Sequence, residues 1–132
     1  MSANQLPAHD LMRSGCYLPD GSLKTSERVV VVARDIDDAG IADLAESVAD
    51  LQLLRWNFRP VFLVGQVNTI PLSRFKFQFE TVMDEDMLAL IHPDLSMDAY
   101  WRERIAEMLR VYDPHRTVHV HAGRPVESWM FP

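Results

Sequence analysis

Five consecutive apolar residues, Val29-Val30-Val31-Val32-Ala33, constrain this chain more than any other stretch. Four β-branched valines in a row favour extended backbone, and without alternation they put apolar side chains on both faces of the strand they form. Such a strand needs cover above and below, as a central strand of a parallel sheet has. The next residues, Arg34-Asp35-Ile36-Asp37-Asp38-Ala39-Gly40, place aspartates where a helix begins, since free N–H groups and the helix dipole attract negative charge there. A helix is predicted over residues 38–55. Ile41, Leu44, Ala45, Val48, Leu51 and Leu54 recur at helical spacing, while Asp43, Glu46 and Asp50 fall on other faces. Pro60-Val61-Phe62-Leu63-Val64-Gly65 then reads as a second strand, with its proline at the beginning, where a missing N–H is tolerated. Strand, helix and strand form a right-handed βαβ crossover with parallel strands.

Residues 68–73 read as a loop. Residues 75–82 alternate strictly and suggest an edge strand with one covered face, carrying Phe75, Phe77 and Phe79. Residues 84–91 fit a short helix with an acidic first turn, stopped by Pro93. Ser96 is a good N-cap for a longer helix reaching Tyr112. Its apolar stripe is Met97, Trp101, Ile105, Met108 and Tyr112, widened by Tyr100 and Leu109, and Asp98 and Arg102 form an i,i+4 pair. Residues 116–122 read as a last strand. Residues 123–132 form a tail whose Trp129, Met130 and Phe131 require apolar cover. Residues 1–27 lack any period and read as an arm with a Pro19-Asp20-Gly21 turn. The element order β-α-β-β-α-α-β predicts a three-layer α/β domain over residues 28–132, Rossmann-like, with a mostly parallel sheet of about four strands between flanking helices.

At 132 residues with 48% hydrophobic content, one such domain can hold its core without a disulfide or structural metal. Nineteen acidic residues against thirteen basic ones give a net charge of -6, which argues against nucleic acid and anionic membranes as partners. No apolar run exceeds five residues, far short of the roughly 20 that span a bilayer. Residues 1–9 lack the basic-then-apolar pattern of a signal peptide, and the lone Cys16 suits a reducing compartment, so a cytoplasmic location is expected.

Ligands of open α/β sheets bind beyond the carboxyl ends of the strands, near the point where strand order reverses. That makes Asp35, Asp37, Asp38 and Gly40, after the first strand, the candidate ligand-binding residues. His119 and His121 are their candidate partners, since residues two apart share one face of a strand. The aspartates would repel phosphate, and the chain contains no G-x-G-x-x-G, Walker or G-x-S-x-G sequence. Cys16 has no basic neighbours to activate it. No cofactor is expected, with Mg²⁺ at Asp35 and Asp37 as the alternative. The spacing Asp35-Ile36-Asp37-Asp38 after an apolar strand is similar to the nucleophile loop of haloacid-dehalogenase-type phosphatases, although Ala39-Gly40 stands where a Thr normally follows.

Residues 28–65 and 100–123 resemble the N-terminal, acceptor-binding, Rossmann-like half of GT-B glycosyltransferases. The likeness lies in Val29-Val30-Val31-Val32-Ala33 with the loop and helix after it, in Arg59-Pro60-Val61-Phe62-Leu63-Val64, and in Trp101-Arg102-Glu103-Arg104 leading to Tyr112-Asp113-Pro114. The resemblance implies an acceptor groove, in a half-domain lacking the second domain through which that family mainly binds nucleotide sugar. The residues themselves leave enzymatic activity open. They favour a non-enzymatic assembly or protein-interaction module that docks on a protein partner or on further copies of itself. Tyr17 in the arm, Phe75, Phe77 and Phe79 on the edge strand, and Trp129 and Phe131 in the tail are the expected interface residues.

Overall fold

The valine run forms the strand β1 (Glu27–Ala33) of a computed structural model that describes residues 27–54 and 58–120. Val29 through Ala33 are all buried, because the sheet is covered on both sides. Val29, Val31 and Ala33 pack on one face with Ile41, Leu44, Ala45 and Val48 of helix α1 (Asp38–Leu54). Val30 and Val32 pack on the other face with Leu88, Tyr100, Trp101 and Met108. This is the physical content of the missing alternation.

Strand β2 (Phe58–Val64) runs parallel to β1 in the register Val31 to Phe62, and divides its side chains in the same way. Helix α2 (Ile70–Arg74) and strand β3 (Gln78–Thr81) follow. Helices α3 (Glu85–Ile91) and α4 (Met97–Tyr112) then lead back to strand β4 (Arg116–His119) on the far side of β1. The order is β3-β2-β1-β4, all parallel. Right-handed crossovers that travel in opposite directions from β1 put their helices on opposite faces of the sheet. Thus α1 and α2 cover one face, and α3 and α4 the other, giving the three-layer α/β architecture read from the sequence. The strand order reverses between β1 and β4.

Ser96 acts as the expected cap, and Asp84, expected in the first turn of its helix, stands one residue before it as the cap. Asp84 and Ser96 cap α3 and α4 by accepting from the N–H groups of Met87 (2.7 Å) and Ala99 (3.1 Å). At its other end α4 is stopped by Asp113 in the left-handed region (φ 44°), followed by Pro114.

Several boundaries differ from the sequence expectation. Residues 70–73 of the expected loop are helical together with Arg74, and the expected edge strand over 75–82 shrinks to Gln78–Thr81. The cause is the way α2 ends. Phe77 N–H donates to Leu72 O and Lys76 N–H to Ser73 O, both at 2.9 Å, with Lys76 at φ 60°. That is a Schellman motif, which turns the chain where alternation suggested extension. Phe77 is buried at 5.2 Å from the Phe62 ring, and Phe75 and Phe79 pack partly buried against the same cluster. These phenylalanines therefore face the chain's own core rather than lining a free edge. Pro60 lies inside β2, not at its start; the β3 ladder begins only at Val61, so the proline has a strand neighbour on one side alone. Leu54, expected to pack on the sheet, is 77% exposed at the end of α1. Strand β4 stops at His119, and one more ladder bond runs from Val120 N–H to Val32 O. The arm with Tyr17, and the residues His121, Trp129 and Phe131, lie outside the described residues.

Candidate functional site

The loop from Arg34 to Asp37 lies at the carboxyl end of β1, beside the switch in strand order, and there the carboxylates of Asp37 and of Asp38, the first residue of α1, are committed to scaffolding. Asp37 is the N-cap of α1: its Oδ1 accepts from Gly40 N–H (2.7 Å) and its carbonyl from Ile41 N–H (2.9 Å). Asp38 Oδ1 accepts from Asn68 N–H at 2.7 Å, tying the start of α1 to the loop after β2. Asn68 in turn accepts from Ile70 N–H (3.1 Å) and opens α2. Gly40 serves packing. A Cβ there would lie 2.5 Å from Ile36 Cγ1 and 3.0 Å from Asp37 Oδ1, so glycine lets Ile36 fold over the helix start and onto the core.

Asp35 is exposed, as is His119, which is level with Val32 on the α4 face of the sheet. Among the described residues no three His, Cys, Asp or Glu side chains come together to hold a metal. With Asp37 turned to its own helix, the Mg²⁺ alternative at Asp35 and Asp37 gains no third ligand among them.

Across the crevice the sequence pairing is replaced by a tertiary one. Asp98, expected to pair with Arg102, instead accepts from the Arg34 guanidinium. That guanidinium lies 5.6 Å from the centre of the Trp101 ring, within cation–π range. Trp101 also reaches under Gly65, where a Cβ would stand 3.6 Å from its ring. The ends of β1 and β2 are thus closed by Arg34, Asp98 and Trp101, three residues the sequence reading did not join.

A second polar cluster ties α4 to the edge strand β3. Tyr112 OH donates to Glu80 Oε2 (2.7 Å), and Arg104 donates to Glu80 Oε1 (2.9 Å), to Thr81 O (3.3 Å) and to Glu107 (2.7 Å). Gln78 donates to the Tyr112 hydroxyl oxygen (3.2 Å). The Tyr112 hydrogen bond lowers the Glu80 pKa; burial opposes this and Arg104 adds to it. Burial, then the adjacent Glu80, pushes the Tyr112 hydroxyl up to about 12. Burial works against the charge of Arg104, but the carboxylates of Glu80 and Glu107 outweigh it and raise its pKa.

Among the described residues, an unfilled surface lies on α3 and its turn into α4. An open cleft of about 440 Å³ is lined by Ile91, His92, Pro93, Asp94, Leu95, Tyr100 and Glu103. Tyr100 forms its buried floor, fixed where its hydroxyl accepts from Met83 N–H (3.2 Å). Beside the cleft, α3 buries Leu88 alone, whereas Met87, Leu90 and Ile91 are 46%, 79% and 51% exposed. The sequence holds a signal for this patch that helical periodicity does not show. Met87-Leu88-Ala89-Leu90-Ile91 is an apolar run as long as that of β1, and a two-turn helix cannot turn all of it inward.

Among the described residues no helix is long and apolar enough to cross a membrane. Compared with known proteins, the chain matches no protein-family model, no curated protein and no solved structure.

Proposed function

We propose that this domain is a non-enzymatic protein-interaction module whose α3 face docks on a partner protein. One observation carries the reading: α3 spends a single side chain, Leu88, on its own domain and leaves Met87, Leu90 and Ile91 in water. Exposed aliphatic clusters on soluble domains mark contact sites, because covering them removes apolar surface from water at about 25 cal/mol per Å². The scaffold roles of Asp37 and Asp38 support the same reading, since they remove carboxylates from the position where α/β enzymes keep their chemistry. The acidic balance disfavours nucleic acid as the partner, and the lone Cys16 suits work in the cytoplasm.

The test is the mass, in light scattering, of the complex that the native protein forms with the partner protein copurifying with it, with and without Leu90→Ser and Ile91→Ser. Both residues are exposed, so the double variant folds. The reading expects an assembled mass that falls to that of the single chain in the variant; an assembly untouched by the substitutions overturns it.

A second reading follows from the reversal of strand order between β1 and β4, with Arg34 held over Trp101 at its rim. Here the domain is a glycosyltransferase-like half that takes an acceptor or a nucleotide-sugar-related ligand at the carboxyl edge. Such a ligand at a hundred times its Kd adds about 2.7 kcal/mol of stability. A panel of nucleotide sugars and sugar acceptors that leaves the unfolding midpoint unmoved removes this reading.

A further inference from the structure

We propose that the α3 face and the adjoining cleft receive a basic amphipathic helix of a partner protein, a proposal that rests on the interaction reading above and names the partner's chemistry. Met87, Leu90 and Ile91 stand at i, i+3 and i+4, forming one apolar stripe along α3 that matches the apolar stripe of a second helix. The cleft at the end of that stripe, about 440 Å³, admits side chains but not a helix body. The partner helix therefore lies along α3 and sends an apolar residue down between Ile91, Leu95 and the Tyr100 floor.

Charge selects the partner. Asp86 flanks the stripe on α3, and Asp94 and Glu103 line the cleft, all three being exposed. No Lys or Arg lines the cleft, and His92 is the one basic group there. Lysines and arginines on the polar flanks of the incoming helix complement this rim. The same rim opposes two other occupants. A symmetric dimer through this face would bring the carboxylates of one copy against those of the other. An anionic bilayer meets the same repulsion.

The probe is a synthetic Leu/Lys amphipathic helix, titrated by fluorescence anisotropy against the full chain, with a Leu/Glu helix of identical pattern as its counterpart. The proposal expects the Leu/Lys helix to bind, the Leu/Glu helix not to bind, and affinity to fall as salt rises. Leu90→Ser with Ile91→Ser should weaken binding roughly tenfold or more, as loss of central apolar anchors does. Asp86→Asn with Glu103→Gln should weaken it and flatten the salt dependence. Asp43→Asn with Glu46→Gln, on the opposite face of the sheet, removes equal charge and should leave the affinity unchanged within about twofold.

Equal losses in the α1 and α3 charge variants would mean diffuse attraction and overturn the proposal. Binding of the Leu/Glu helix, Leu90-dependent self-association, or Leu90-dependent binding to phosphatidylcholine or phosphatidylglycerol vesicles would overturn it as well. If the Leu/Lys helix fails to bind while Leu90→Ser with Ile91→Ser still dismantles the native assembly, the helix partner falls and the interaction reading stands. If neither responds, both fall.

Discussion

The Tyr112 hydroxyl donates to Glu80 Oε2 at 2.7 Å, bridging the last turn of α4 to the edge strand β3 across 32 residues of sequence. Arg104 completes the node at 2.9 Å on the other carboxylate oxygen. A two-turn α3 with one buried residue is a weak link between β3 and α4, so this node carries much of the attachment of the edge strand.

Tyr112→Phe removes the donor and leaves the ring packing in place. Loss of a hydrogen bond to a half-buried carboxylate should cost about 1–2 kcal/mol, read as a lower urea midpoint at pH 7. The pH dependence has two limbs. Glu80 has a lowered pKa in the fold, so its contribution is present above its usual value of 4.5 and is lost as pH falls through the folded value. Tyr112 has a raised pKa, so its contribution is present below 10 and is lost as pH rises toward about 12. The variant should lack the alkaline limb and show a shallower acid one; an unchanged profile would remove the node from the stability of the fold.

Lys76 holds the left-handed position of the Schellman motif after α2 with φ 60°, a conformation that costs a β-carbon-bearing residue more than glycine. Lys76→Gly should therefore stabilise the domain by about 0.5–1 kcal/mol, although glycine elsewhere usually destabilises. Thermal unfolding of the variant gives the sign directly.

Gly40 is inside a helix, where alanine is normally better by about 1 kcal/mol. Here an added methyl meets Ile36 Cγ1 at 2.5 Å, and overpacking of this kind costs about 1–3 kcal/mol, so Gly40→Ala should destabilise. In an Ile36→Ala background the contacts with Ile36 are gone and only Asp37 Oδ1 at 3.0 Å remains, so Gly40→Ala should cost much less. A cost that does not fall between the two backgrounds would show that Ile36 is not the reason for the glycine.

Asp37→Ala should cost about 1 kcal/mol of stability through loss of the α1 cap, and Asp37→Asn should cost much less because asparagine also caps. Adding Mg²⁺ should leave the unfolding midpoint of the parent chain in place. A rise on Mg²⁺ addition that Asp35→Asn with Asp37→Asn abolishes would return a metal to this loop.

Much of the framework was legible from sequence because its signals are local. Four valines without alternation specify a strand buried on two faces wherever it is placed, and the spacing of Ile41, Leu44, Ala45, Val48 and Leu51 specifies the inward side of α1 before any partner is known. The caps at Asp84 and Ser96 are likewise contacts within three residues. Residues 75–77 misled because alternation is indifferent to one left-handed residue: Lys76 ends a helix there and turns Phe77 into the core. The candidate site was the least legible part. Whether Asp38 meets a ligand or Asn68 N–H, and whether Asp98 pairs with Arg102 or Arg34, depends on which distant segment arrives at the end of β1.

By itself, then, the order of apolar and polar residues determined every element but α2, the two buried faces of β1 and the parallel βαβ start, since those follow from periodicity and backbone sterics over one or two turns. Only the tertiary structure decided that Asp37 and Asp38 brace the scaffold and that Met87, Leu90 and Ile91 are left uncovered. Side-chain partners and exposure are set by packing between segments that here lie 30 and 64 residues apart, where each group competes for neighbours that no local pattern names.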